Sequence, residues 1–166
     1  MRYTNREIDF SNLLRRLPDA VAVLTGREEN IALHGTVKFY QASCGVFVVA
    51  DVFGLPLPKE ACNSRIFAFH IHDGQSCTGN ERDPFANAGN HYNPDGCPHP
   101  YHRGDMPPLF SSGGRAFLAF LTDRFTTNEI LGKTVIIHDG PDDFATQPGG
   151  NAGDKIACGK VSKVMR

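Results

Sequence analysis

The sequence predicts an all-β fold of seven or eight mostly antiparallel strands, arranged as a sandwich or barrel. Seven segments alternate apolar and polar residues with a period of two, the spacing at which strand side chains share a face. Turn-forming residues separate these segments at 26–30, 54–58 and 111–114. With 166 residues and 40% hydrophobic content, the chain has the size and composition of one domain with a proper core.

A short helix is predicted before the first strand, over residues 5–17, because apolar residues recur there at helical intervals and Pro18 follows. We therefore divide the chain into an N-terminal helical extension, residues 1–18, and a β domain, residues 19–166. The period-two segments predict strands at 20–25, 32–41, 45–53, 66–73, 115–122, 133–138 and 155–161.

Two long segments do not fit this strand pattern, residues 74–109 and residues 139–154, and both are rich in glycine and proline. Long irregular loops in a compact domain usually carry function. A single helical turn is also expected at 126–132, since Thr126 and Glu129 match a capping box and Gly132 follows.

Charge and hydropathy exclude several classes of partner. The net charge is −1, and lysine and arginine are scattered, so we expect neither nucleic-acid nor membrane binding. No segment is long and apolar enough for a transmembrane helix, and the first residues contain no secretory signal.

Histidines form the most informative pattern. His70 and His72 are two residues apart on a predicted strand, so both side chains project from one face. His138 ends another predicted strand and can approach them from the side. His34 lies on a strand face that we expect to be solvated, and we assign it no ligand role.

A second group lies in the first irregular segment. His99, His102 and Asp105 are three residues apart, a spacing that lets a compact loop turn two imidazoles and a carboxylate toward one ion. His91 lies between the two groups in the sequence. The spacing therefore predicts a metal centre.

The five cysteines are an odd number, so at least one is unpaired within the chain. The simplest expectation for Cys44 and Cys62 is a buried free thiol. Cys97 adjoins Pro98 and His99, which leaves three alternatives: a free thiol, a disulfide with Cys62, or an additional metal ligand.

Several motifs in the same order together resemble the copper,zinc superoxide dismutase family, over residues 21–161. They are Phe69-His70-Ile71-His72, Gly89-Asn90-His91-Tyr92-Asn93-Pro94, His99 with His102-Arg103-Gly104-Asp105, Val135-Ile136-Ile137-His138-Asp139, and Gly150-Asn151-Ala152-Gly153 leading to Cys158. The resemblance implies an eight-stranded Greek-key β-barrel with two long functional loops.

The resemblance also implies the cofactors copper and zinc and their ligands. Copper would be held by His70, His72, His91 and His138. Zinc would be held by His91, His99, His102 and Asp105. His91 would thus bridge the two metals, and these ligand types suit Cu(II) and tetrahedral zinc.

Further roles follow from the same resemblance. Asp142 would connect a ligand of copper to a ligand of zinc. Cys77 and Cys158 would form the disulfide. The implied reaction is the disproportionation of superoxide into dioxygen and hydrogen peroxide by copper redox cycling, with zinc unchanged. His91, His138 and Lys155 would be the catalytic residues, with Lys155 attracting the anion.

The sequence departs from the family's usual pattern at two places. Lys155 stands where an arginine is usual, which keeps the charge but loses the bidentate guanidinium. The segment from His138 to Cys158 is shorter than in many relatives. The segment between Cys77 and His91 is longer than in eukaryotic forms and resembles bacterial ones.

The alternative function is a copper-binding or metal-delivery module with little dismutase activity, and a metal-free interaction domain would be a third. The oligomeric state is open, with a homodimer or a monomer expected. The N-terminus favours the cytoplasm, whereas a disulfide and copper suit an extracytoplasmic compartment.

Overall fold

Antiparallel strands make up most of the protein in the computed structural model, which describes residues 10–60, 62, 63 and 65–165. In chain order the strands are β1 (Ala20–Gly26), β2 (His34–Ala42), β3 (Gly45–Phe53), β4 (Ile66–Phe67), β5 (Phe69–His72), β6 (Leu109–Phe110), β7 (Ala116–Thr122), β8 (Thr134–His138) and β9 (Lys155–Lys163). The helices are α1 (Phe10–Arg15) and α2 (Thr127–Ile130), and single 3₁₀ turns occur at Glu28–Asn30 and Ala86–Ala88.

Seven strands form one antiparallel sheet in the order β5, β8, β9, β1, β2, β3, β7, curled into a half-barrel. The first and last strands of the chain are neighbours, with Ala22 of β1 opposite Val161 of β9. After β3 the chain crosses to β5 at the far edge of the sheet, and it later returns to place β7 beside β3. The predicted all-β barrel architecture is confirmed.

The predicted strand at 66–73 is interrupted in the structure. The backbone N–H of Ala68 donates to the Gly140 carbonyl at 2.8 Å, and the Ala68 carbonyl accepts from the His138 N–H at 3.0 Å. β4 on one side of Ala68 pairs with β6, while β5 on the other side pairs with β8. Taken as one interrupted strand, β4 and β5 bring the number of strands to the expected eight.

Strand β6 is the element that the sequence pattern missed, since Leu109 was placed in an irregular segment. Two residues are too few to show a period, and the prolines at 107 and 108 hide the strand. Its pairing with β4 fixes the end of the first long loop.

The core lies between the inner faces of the curled sheet. Alternate residues of β2 and β3, among them Val37, Phe39, Val48 and Ala50, have no exposed surface. Each large apolar side chain buried in this way stabilises the fold by about 1.5–3 kcal/mol. The core supplies a rigid wall from which the histidines of β5 and β8 project.

Helix α1 begins at Phe10, the first described residue, and ends at Arg15, two residues before the predicted end. Residues 5–9 of the predicted helix lie outside the described residues. The Phe10 ring packs against Phe47 of β3 with ring centroids 4.8 Å apart, and the Arg16 guanidinium donates to the Gln41 carbonyl at 2.6 Å. The boundary at residues 18 and 19 stays a prediction.

Helix α2 confirms the predicted helical turn and its capping box. The Thr126 hydroxyl accepts from the Glu129 N–H, and the Glu129 carboxylate accepts from the Thr126 N–H at 2.6 Å. Within the part of the chain that the structure describes, no helix has the length and apolar character needed to cross a membrane.

The two long loops meet at one side of the sheet. Gln147 of the loop after β8 accepts a hydrogen bond from the His99 N–H at 2.9 Å and donates to the His99 carbonyl at 2.8 Å. The loop between β5 and β6 is therefore fastened to the loop between β8 and β9, and the histidines lie between the loops and the sheet.

Candidate metal centre

Three histidines of the site come from neighbouring strands. His70 and His72 lie on β5, and His138 ends β8, where a register shift follows Ile137. The Nε2 atoms of His72 and His138 are 3.4 Å apart, and the ring centroids of His70 and His138 are 5.2 Å apart. The predicted convergence of these side chains is confirmed.

His91 joins this group from the first long loop. Its backbone forms an isolated antiparallel bridge with His72, which places the ring 4.0 Å from the His70 ring and 4.9 Å from the His72 ring, measured between centroids. One potential ligand atom from each of His70, His72, His91 and His138 lies within 4.8 Å of all the others.

The loop supplies a second group that also contains His91. The His91 Nδ1 atom is 2.7 Å from Asp105 Oδ1 and 3.4 Å from His102 Nδ1, and His99 Nδ1 is 3.1 Å from Asp105 Oδ2. His91, His99, His102 and Asp105 again place one ligand atom each within 4.8 Å of the others. The structure therefore brings together, in two groups, all the residues that the family resemblance implies as metal ligands.

The free nitrogen atoms of the site fit metal ions better than protein partners. His70 Nδ1 is buried without a hydrogen bond among the described residues, which is unfavourable unless something else binds it. His99 Nδ1 is also buried, and its contact with Asp105 Oδ2 at 3.1 Å lacks hydrogen-bond geometry. The Nε2 atoms of His70 and His99 both contact Asp142 at 2.8 Å. On the other two strand histidines, His72 Nδ1 contacts the Gly89 carbonyl at 2.9 Å and His138 Nδ1 contacts the Gly153 carbonyl at 3.1 Å. When one ring nitrogen is engaged by a protein oxygen in this way, the other, which we call the inner nitrogen, is left available to a metal.

Asp142 connects the two groups. Its Oδ2 lies 2.8 Å from His70 Nε2, and its Oδ1 lies 2.8 Å from His99 Nε2. Burial raises the pKa of this carboxyl, but hydrogen bonds from His70, from the Phe144 N–H and from His99 outweigh burial, so the pKa lies well below its usual range. Asp142 is therefore ionised and holds both imidazoles in one orientation.

Gly150 leaves room for this contact. Its φ of +67° is the left-handed conformation that favours glycine, and a Cβ atom there would overlap Asp142 Oδ1 and approach His99 Nε2. The glycine-rich stretch of the second long loop thus allows the backbone to lie directly against the two side chains.

Burial keeps the imidazoles of His70, His72 and His138, which we call the strand group, neutral. It lowers the pKa of His138 to about 3, and it lowers the pKa of His72 well below the ordinary 6.5. Burial also lowers the pKa of His70, against the opposing effect of Asp142. Neutral imidazole is the form that binds a metal, so these side chains are ready to act as ligands near neutral pH.

Arg124 was not identified from the sequence. Its Nη1 lies within 3.0–3.3 Å of the carbonyl oxygens of Pro100, His102 and Asp105, all in the loop that carries the second group. A nearby pair of ionic contacts, from Arg103 to Asp95 and to Glu129, fastens the same loop to α2. No pattern around Arg124 could have revealed this role, because it depends on where the loop turns back.

The cysteines are partly as expected. Cys77 and Cys158 form a disulfide with Cα atoms 5.6 Å apart, which confirms the pairing and anchors the first long loop to β9. Cys44, Cys62 and Cys97 are free, so the alternative disulfide between Cys62 and Cys97 is absent from the structure. The expected burial of Cys44 and Cys62 is wrong, because both lie exposed in loops.

A cavity of about 950 Å³ opens onto the strand group. His72, His91 and His138 line it, and Lys133 and Lys155 also lie in its wall. Lys155 is thus close enough to the histidines to influence an anion that enters. His34 is elsewhere, exposed on β2 and stacked on Phe53, as predicted.

Fold and site together define a class of protein, an antiparallel β-barrel protein whose two metal-binding groups share one histidine. A sequence profile described as copper/zinc superoxide dismutase matches residues 33–161. The chain therefore belongs to the copper/zinc superoxide dismutase family.

Individual relatives agree with this assignment. "Superoxide dismutase [Cu-Zn] 2" from Aquifex aeolicus is 31% identical over 142 residues, covering 76% of this chain and 78% of the relative. The human "Copper chaperone for superoxide dismutase" is 26% identical over 166 residues, covering 92% of this chain and 56% of that protein. The structure of "Cu/Zn superoxide dismutase from Brucella abortus" superimposes with a TM-score of 0.68 at 23% identity, covering 85% of this chain and 98% of that one, and supports the fold. Relatives from bacteria confirm the predicted bacterial likeness.

The depressed histidine pKa values predict how the stability of the metal-free protein depends on pH. The pKa of His138 is the ordinary 6.5 in the unfolded chain and about 3 in the folded protein. The contribution of this side chain to the free energy of unfolding is therefore fully present above pH 6.5. This stabilisation decreases as the pH falls toward 3, by about 1.4 kcal/mol per pH unit for each such histidine. Urea denaturation between pH 7.5 and pH 4.5 measures the slope. His138→Gln should reduce it, and an equal slope in both proteins would contradict the assignment.

Proposed function

We propose that this protein is a copper- and zinc-dependent superoxide dismutase whose two metal sites share His91. The observation that carries the proposal is that two complete groups of ligand atoms overlap at His91 and are joined from outside by Asp142. Family membership supports the same reaction.

In this proposal His70, His72, His91 and His138 hold copper. Their inner nitrogens are His70 Nδ1, which has no hydrogen bond among the described residues, and the Nε2 atoms of His72 and His138. Four imidazoles are a donor set that suits copper. The ligands of zinc are His91, His99, His102 and Asp105, three imidazoles and a carboxylate, which suit tetrahedral zinc.

When bound, copper supplies one-electron redox chemistry, which converts two superoxide ions and two protons into dioxygen and hydrogen peroxide. The protein residues then have separate tasks. His91 presents Nδ1 to Asp105 and His102 of the second group, which leaves Nε2 as the ring nitrogen that can hold or release a proton. Lys155 lies in the cavity wall and adds positive charge where a small anion enters.

Copper delivery to another protein is the second candidate, favoured by the likeness to the human chaperone over most of this chain. The second ligand group speaks against delivery as the main role, since it is complete and buried beside the first. A protein that loads copper but does not accelerate the decay of superoxide would be a delivery module.

Removal of one copper ligand provides the direct test. We expect the loaded protein to contain one copper and one zinc per chain. His138→Ala should lose most bound copper, retain zinc and reduce dismutase activity by at least about 100-fold, because an open ligand position no longer holds the ion. Elemental analysis and stopped-flow decay of superoxide measure the two effects. His34→Ala, a histidine exposed on β2, is the matched control and should behave like the parent protein. Full activity of His138→Ala would refute the proposed site.

Asp142 should act on both metals at once. Asp142→Asn removes the charge that orients His70 and His99, so we expect the affinities for copper and zinc to fall together by about 10- to 100-fold. Competition with a chelator measures each affinity. Asp143→Asn, next to it in the sequence but exposed, serves as the control. A loss confined to one metal would show that Asp142 does not couple the sites.

We further propose that two copies of the chain associate through the exposed aromatic side chains on either side of the turn between β6 and β7. Phe110 is 68% exposed and Phe117 is 64% exposed, and an isolated bridge between Ser112 and Arg115 closes the turn that separates them. Exposed neighbouring aromatic residues are typical of interaction surfaces. Sedimentation equilibrium should give a dimer for the parent protein and a monomer for Phe110→Glu. A parent protein that remains a monomer at high concentration would contradict this proposal.

A further inference from the structure

The charge at the cavity wall is less simple than the presence of Lys155 suggests. Lys155 is the first residue of β9, and its backbone is paired in register with His138 at the end of β8. The lysine is therefore adjacent to the strand group of histidines. The other lysine of the cavity wall, Lys133, lies over the Tyr92 ring, with Nζ 4.3 Å from the ring centroid.

Asp83 binds Lys155 directly. The Lys155 Nζ atom is 2.5 Å from Asp83 Oδ2, and the lysine side chain is 16% exposed against 37% for the aspartate. A partly buried pair at this distance is less screened by solvent than a surface pair. Two opposite charges in contact produce a field that decreases with distance much faster than the field of the lysine alone.

The structure holds Asp83 rigidly in this position. Its Oδ1 accepts from the Phe85 N–H at 2.9 Å, and its carbonyl accepts from the N–H groups of Asn80 and Ala86 at 3.0 Å each. Phe85 in turn packs into the small apolar cluster around the disulfide of Cys77 and Cys158. Asp83 is therefore fixed by its own loop, and its Oδ2 is left for Lys155.

We propose that Asp83 is a positioning residue that holds Lys155 and cancels most of its charge, so that the protein attracts superoxide more slowly than its ligand set allows. This proposal rests on the proposed dismutase function. Asp83 lies in the first long loop, between Cys77 and His91.

Asp83→Asn tests the proposal by a gain of activity. The asparagine Oδ1 can still accept from the Phe85 N–H, so the turn is retained while the charge is removed. In the copper- and zinc-loaded protein at low ionic strength, we expect kcat/KM to rise about threefold and to decrease more steeply with added salt. Glu28→Gln is the matched control: it changes the net charge equally at an exposed turn outside the cavity wall, and it should leave the rate unchanged.

A double variant shows whether Asp83 acts through Lys155. In a Lys155→Gln protein, the additional change Asp83→Asn should raise kcat/KM by much less than in the parent. An equal rise in both backgrounds would overturn the proposal, because the aspartate would then act without the lysine.

The affinity for azide, a small inorganic anion, provides a readout that does not depend on turnover. Titration followed by visible absorption of the copper-loaded protein should show about threefold tighter azide binding in Asp83→Asn than in the parent. Unchanged or weaker azide binding would overturn the proposal. If azide binds more tightly but the parent protein has no dismutase activity, the proposed function fails while the cancelled charge is supported.

Discussion

The contact of Asp142 with His70 and His99 is the interaction on which the site depends. One histidine projects from the rigid sheet, and the other belongs to a loop with little regular structure of its own. The shared carboxylate gives both rings one reference point, so the loop group takes its position from the sheet. Because Asp142 is ionised and lies in the second long loop, that loop is fixed to the site by the same contact.

Three further contacts also hold the first long loop in place beside the sheet. Arg124 donates hydrogen bonds to three carbonyl oxygens of the first long loop, and Gln147 links that loop to the second. The disulfide attaches the beginning of the first loop to β9. Each connection restrains backbone around the histidines without contacting the inner nitrogens. The site thus combines the neutral, buried rings of His70, His72 and His138 with a surrounding set of polar contacts, so the side chains are held in place before a metal binds.

The strands and the strand-borne ligands could be predicted from the sequence because period two fixes which side chains share a face. His70, His72 and His138 needed no other information. The loop ligands were grouped by spacing, but their sharing of His91 and the role of Asp142 came from the family resemblance. Arg124 and the pairing of Asp83 with Lys155 could not be predicted, since these contacts span 19 to 24 residues and 72 residues and depend on the path of irregular backbone. The break at Ala68 was hidden for a similar reason, as its backbone hydrogen bonds go to His138 at the end of β8 and to Gly140 in the loop that follows, 70 and 72 residues away.

Gly150 has a consequence for how this protein can vary. Any side chain at this position would displace either the carboxylate of Asp142 or the ring of His99, and the left-handed backbone adds strain to the collision. A single added methyl group at residue 150 would therefore disturb the one carboxylate that joins the two groups of candidate ligands.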